Sequence, residues 1–177
     1  LDIQDQRRAD VYIRELEGFA AKGEMPQLQI IRLPNDHTSG ASANKPTPQA
    51  HFADNDLALG RIVEAVSKTK FWESTAIFVL EDDAQAGPDH VDSHRSLLLV
   101  VSPWARSGAH HRFVNTTDVI ATMEALLGLD AIDPRLGDEA RIHACAIHAA
   151  FGIADDADFL DAAAAALQIY TASRAAF

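Results

Sequence analysis

The sequence predicts an α/β domain with a central, mostly parallel sheet and helices outside it. Three observations carry that prediction. Helical and strand-like segments alternate along residues 5–127, the pattern of helices packed on a buried sheet. Two compact apolar runs, Thr75–Leu80 and Ser96–Val101, have the length and unbroken hydrophobicity of strands buried on both faces. The composition is 47% hydrophobic and 23% charged over 177 residues, which suits a globular chain with a real core rather than a disordered one.

Taken in order, residues Asp5 to Lys22 read as an amphipathic helix. Ala9, Tyr12, Ile13, Leu16, Phe19 and Ala20 recur at helical spacing, and Gly23 follows as a stop. Leu28–Leu33 is a short apolar strand ended by Pro34, and a polar loop runs from Asn35 to Pro46. Thr47-Pro48 starts a second helix with proline in its first turn, carrying an apolar face of Leu57, Ala58, Ile62, Ala65 and Val66. Thr75–Leu80 is a buried strand closed by Glu81-Asp82-Asp83, and Ser96–Val101 is a second, closed by Ser102-Pro103. Thr116 or Thr117 is placed to cap a helix bearing Val119, Ile120, Met123, Leu126 and Leu127, with Gly128 as its stop. Residues 131–177 are rich in alanine and read as a helical tail, set apart from residues 1–130. No internal repeat is found.

Several function classes drop out. The formal net charge is −11, with no Lys/Arg cluster, so a nucleic-acid partner is not expected. No apolar run approaches the roughly 20 residues of a membrane helix, so no membrane-spanning segment is expected. One cysteine, Cys145, leaves neither an intrachain disulfide nor a cysteine-based zinc site. The phosphate-binding and dinucleotide-binding glycine motifs and the G-x-S-x-G nucleophile elbow are all missing. The chain opens on Leu1 with no signal-peptide pattern, and is expected not to begin where translation begins.

The chemistry-bearing residues gather at strand ends, where open α/β sheets bind ligands. Asp36-His37-Thr38 follows the first strand. Aspartate and histidine suit zinc, manganese or iron; the same string is also good turn chemistry. Three adjacent acids, Glu81-Asp82-Asp83, close the most apolar strand, and their mutual repulsion is relieved by a divalent cation or by solvent. His90 and His94 lie among further acids just before the next strand, and neutral imidazole is a common metal ligand. His51, His110, His111, His143 and His148 carry weaker signals. Trp72 and Trp104 read as packing residues at strand edges, and Cys145 as a small buried side chain.

Taken together, Leu33-Pro34-Asn35-Asp36-His37-Thr38, Ala53 to Val63, Ala76 to Asp83, Gly87 to Arg95 and Val101 to Arg106 resemble the bacterial phosphoesterase family. That family holds phospholipase-C-like and acid-phosphatase-like members of the alkaline-phosphatase superfamily. The resemblance covers roughly residues 5–130. It implies an alkaline-phosphatase-like fold, represented here without its N-terminal half. It implies metal-dependent hydrolysis of phosphate esters, with Asp82, Asp83 and His94 as metal ligands beside Asp36 and His37, and His90 as a contact to substrate. The ion would be divalent; zinc, manganese and calcium are not distinguished.

The chain departs from the pattern in two places. Many superfamily members separate the earlier Asp/His pair by three residues, whereas Asp36 and His37 are adjacent, so one of them would meet phosphate rather than the ion. No residue matches the family's nucleophilic Ser or Thr, which is expected upstream, and this chain alone is expected to turn over little. A periplasmic or secreted setting, and self-association across a sheet surface left open, follow from the same resemblance. The alternative is a non-catalytic metal-binding or interaction domain on the same scaffold.

Overall fold

The computed structural model describes residues 2–81, 96–129 and the strand 166–172. The architecture is α/β. Helix α1 (Asp5–Lys22) leads into strand β1 (Leu28–Leu33), a 3-10 turn (Asn35–His37) and helix α2 (Pro48–Ser67). A second 3-10 turn (Trp72–Ser74) enters β2 (Thr75–Glu81); β3 (Leu98–Val101), α3 (Thr116–Leu126) and β4 (Ala166–Ala172) follow.

Local chemistry sets the boundaries. Gly23 adopts φ 84° after α1 and its N–H reaches the Phe19 carbonyl at 2.8 Å, a left-handed cap that glycine takes without steric cost. Thr47 caps α2 by accepting from the Ala50 N–H at 3.3 Å, with Pro48 in the first turn. The cap of α3 is Asn115, not Thr116 or Thr117: its side chain accepts from the Asp118 N–H, and the Asp118 carboxylate accepts from the Asn115 N–H. An amide one residue earlier forms the full reciprocal box, which either threonine would have left half made.

The four strands form one sheet in the order β1-β4-β2-β3. β4 runs parallel to both β1 and β2, and β3 runs antiparallel to β2, so the sheet is mixed. Both faces of β2 are covered, as its unbroken apolar sequence requires. On one face Ile77 and Val79 pack with Leu33, with Ala9, Tyr12 and Leu16 of α1, and with Ala58, Ile62 and Val66 of α2. On the other, Ala76, Phe78 and Leu80 meet Val119 and Leu126 of α3. Among the described residues β1 is covered on one face: Ile31 and Leu33 pack inward, while Leu28 and Ile30 are exposed.

Two expectations are corrected here. Residues 166–172 are a strand, not part of a helical tail. The alanine run ending at Ala166 favours helix by propensity, but Leu167-Gln168-Ile169-Tyr170-Thr171 is rich in β-branched and aromatic residues and pairs along its whole length on both sides. The rest of the tail, with His143, Cys145 and His148, lies outside the described residues. Leu57 belongs to the exposed side of α2; the buried stripe is His51, Ala58, Ile62 and Val66.

The topology decides where a site can form. Since β4 is parallel to both neighbours, β1 and β2 run in the same direction. Leu33 and Glu81 are both in register with Ala172, so both strands end at one edge of the sheet. With one strand between them, those ends lie about 10 Å apart.

Candidate functional site

At that shared edge β1 passes through Pro34 into the 3-10 turn Asn35–His37, which carries Asp36 and His37. Asn35, only 2% exposed, is the anchor of the turn. Its backbone N–H donates to Oδ2 of Asp5 at 2.9 Å, and its side-chain Nδ2 donates to Oδ2 of Asp54 at 2.7 Å. The same Asp54 oxygen accepts from the Asp5 backbone N–H at 2.6 Å. Asn55 closes the set: its Nδ2 lies 3.1 Å from Oδ2 of Asp5 and 2.9 Å from the Leu33 carbonyl. Two carboxylates, one from each helix, thus grip the residue immediately before Asp36.

Asp5 is fully buried. Burial pushes its carboxyl above the ordinary value, and the neighbouring Asp54 charge adds to the rise. The bonds from Asn35 and Asn55 and the charge of Arg8, whose Nε lies 3.4 Å from Oδ1, pull part of the way back. Arg61 ties the helices together outside this cluster: it donates to the Gln6 side chain at 2.8 Å and pairs with Asp10.

On the other side of the pair, Thr38 has φ 60° and ψ 173°. A β-branched residue rarely occupies that region, and such a conformation costs on the order of 1–3 kcal/mol. Its consequence is visible one atom group away. The Thr38 carbonyl oxygen lies 3.0 Å from Nδ1 of His37. A carbonyl only accepts, so Nδ1 carries the proton and the neutral ring keeps its lone pair on Nε2. That is how metal-ligating histidines are commonly oriented, with the second nitrogen donating to a backbone carbonyl. The Thr38 hydroxyl in turn accepts from the Gly40 N–H at 3.1 Å.

His51 is the residue that sequence reasoning undervalued. It is 2% exposed, and neither ring nitrogen has a hydrogen-bond partner among the described residues. It stands one helical turn before Asp54 and Asn55 on α2, so it shares the face of the helix that reaches the β1 exit. A buried imidazole with both nitrogens unsatisfied costs stability unless something else occupies them. The available signal was spacing: His51, Ala58, Ile62 and Val66 form one buried stripe. Asp5 and Asp54 gave no comparable signal, since an acid at a helix start is ordinary and Asp54 stands among polar residues inside α2.

Of the predicted site residues, Asp36 and His37 are brought to the strand-end edge, on one turn. Asp82, Asp83, His90 and His94 lie outside the described residues. Among the described residues no group of three or more His, Cys, Asp or Glu side chains converges tightly enough to hold a metal ion. Aspartate and histidine are residue types that divalent cations accept, and His51 is buried with neither ring nitrogen bonded among the described residues. His110 and His111 are exposed, as expected for loop residues. Trp72 packs against the core as expected; Trp104 does not, being 40% exposed, and is tied to the surface by its Nε1–H bond to the Glu73 carbonyl at 2.8 Å. No helix among the described residues is long and apolar enough to cross a membrane.

No family model, no curated protein and no solved structure matches the chain.

Proposed function

We propose that this chain forms the metal- and phosphate-contacting part of a phosphoesterase that hydrolyses phosphate esters, on an alkaline-phosphatase-like scaffold. The observation that carries the reading is the Asp36–His37 turn, rigidly mounted at the edge where β1 and β2 both end. The sequence string running from β2 into Asp82-Asp83 and on to His94 supports it by resemblance.

In this reading Asp82, Asp83 and His94 hold a divalent ion, with Asp36 or His37 completing its shell. The other member of that pair, with His90 and His51, meets the phosphate. The ion would supply positive charge to the nonbridging phosphate oxygens, where negative charge builds during transfer. His37 keeps its Nδ1 proton on the Thr38 carbonyl, so in the neutral ring the lone pair is on Nε2. Burial of His51 excludes water from its nitrogens and strengthens any bond they make to an anion or ion. By resemblance the nucleophile comes from upstream of residue 1. Self-association would use the uncovered face of β1, where Leu28 and Ile30 are exposed.

The test is metal content by mass spectrometry after equilibration in mixed zinc, manganese and calcium, comparing wild type with Asp82→Ala and Asp36→Ala. Near-stoichiometric metal in the wild type, lost in Asp82→Ala, supports the reading. Retention in both variants would overturn the ligand assignment. Stoichiometric metal with no phosphate-ester turnover, even when the chain is extended upstream, would favour the non-catalytic metal-binding domain.

A further inference from the structure

The pair Asp36–His37 is bracketed in an unusual way. Before it stands Asn35, buried and gripped through its backbone N–H and its side-chain amide by Asp5 and Asp54. After it stands Thr38, at φ 60°. A strained residue persists only where its surroundings over-determine it. The surroundings here are the clasp: α1 contributes Asp5, α2 contributes Asp54 and Asn55, and Asn55 also holds the last carbonyl of β1. The grip on Asn35 reaches Thr38 through the turn, because the Thr38 N–H donates to the Asn35 carbonyl at 3.0 Å. A free imidazole prefers its proton on Nε2, so the Nδ1–H form is imposed by the turn.

We infer that Asp5 and Asp54 are positioning residues: by anchoring Asn35 they hold Thr38 in its left-handed conformation, and so present His37 as the Nδ1–H tautomer with Nε2 as its basic nitrogen. They touch neither ion nor phosphate and act through the turn. The consequence for metal binding rests on the proposed function; the tautomer itself does not. The arrangement extends the familiar support of metal ligands by hydrogen-bonded neighbours to a carboxylate pair acting through two residues of backbone.

The critical comparison is Asp54→Ala against Asp54→Asn in the 177-residue chain. Alanine removes both bonds accepted by Asp54. Asparagine keeps one carbonyl oxygen with two lone pairs, enough for the Asp5 N–H and the Asn35 amide. The first readout is the 15N shift pattern of His37, recorded at about pH 8.5 where imidazole is neutral. Wild type and Asp54→Asn should show Nδ1–H; Asp54→Ala should shift to the Nε2–H form. The second readout is Mn2+ affinity, expected to weaken by about 10–100-fold in Asp54→Ala and to return in Asp54→Asn. Unchanged Nδ1–H in a folded but less stable Asp54→Ala would overturn the proposal and leave the clasp a purely structural device. Should Asp54→Ala fail to fold, Asn35→Ala, which removes only the side-chain tie, decides by the same tautomer readout. Absence of Mn2+ binding in the wild type, with the tautomer shift intact, would sink the metal reading and support the positioning role.

Discussion

Two helices of this protein begin with a buried aspartate, and they use it differently. In α3, Asp118 and Asn115 satisfy each other's N–H groups across three residues. The exchange is complete within one turn. In α1, Asp5 instead accepts from Asn35 and Asn55, 30 and 50 residues away, and its own N–H goes to Asp54. A local cap stabilises its helix and leaves everything else where it was. A carboxylate shared among two helices and a strand exit fixes the relative position of all three, at the cost of burying a charge. Asp118 is buried as well, but its partners lie within one turn; the carboxylate shared between distant elements is found where Asp36 and His37 are mounted.

The sharpest way to break this contrast is to remove one acceptor from each region. Asp54→Ala deletes two hydrogen bonds to a charged acceptor, each worth about 1.5–3 kcal/mol when intact, so a loss of about 3 kcal/mol is expected by denaturant unfolding. Asn115→Ala deletes one cap and should cost about 1 kcal/mol. The discriminating measurement is metal content: Asp54→Ala should lower it, whereas Asn115→Ala should leave it at the wild-type level. Equal effects of the two variants on metal would erase the distinction between cap and clasp.

His51 sharpens the comparison from within α2. Further along the same stripe Ala58, Ile62 and Val66 are apolar and buried, and a histidine in line with them gains nothing from packing that leucine would not supply. His51→Leu is therefore expected to raise stability by about 1 kcal/mol, the penalty of unsatisfied buried nitrogens being removed. It should also weaken binding of the divalent ion or of inorganic phosphate. A variant that is less stable than wild type, with ligand binding unchanged, would make His51 a core residue whose partners lie elsewhere.

These residues also mark how far the sequence could be read. Bounds of α1 and β1 follow from periodicity and from the breakers Gly23 and Pro34, and the structure places them at Asp5–Lys22 and Leu28–Leu33. The Asp36–His37 turn was legible because it follows a strand. β4 was not, because alanine propensity spoke for helix while the pairing that makes a strand comes from β1 and β2, far away in sequence. The clasp was hidden for the same reason. Asp5, Asn35, Asp54 and Asn55 are unremarkable where they stand in the sequence, and acquire meaning only when α1, α2 and β1 converge. Leu57 misled because it is the larger apolar residue beside Ala58, yet helix rotation points it to solvent.

The smallest effect expected concerns the charge of Asp5 itself. Its folded carboxyl is raised above the ordinary value of 3.8, chiefly by burial. The folded chain therefore holds a proton that the unfolded chain has released, throughout the window between those two values. Stability must fall as pH rises through that window and then level off, because the unfolded state is the better host for the charge. Asp2 and Glu64 are shifted the other way, by exposed lysine partners, and contribute little because solvent screens them. Asp5→Asn removes the titration while keeping an oxygen that can accept from Asn35 and Asn55. Melting curves of the two proteins should thus lie closest at low pH and separate as pH rises, the variant gaining on the wild type until Asp5 is fully ionised. A constant difference between the curves from acid to neutral pH would mean that the buried charge is fully compensated by Asn35, Asn55 and Arg8. The clasp would then be as self-sufficient as the cap of α3.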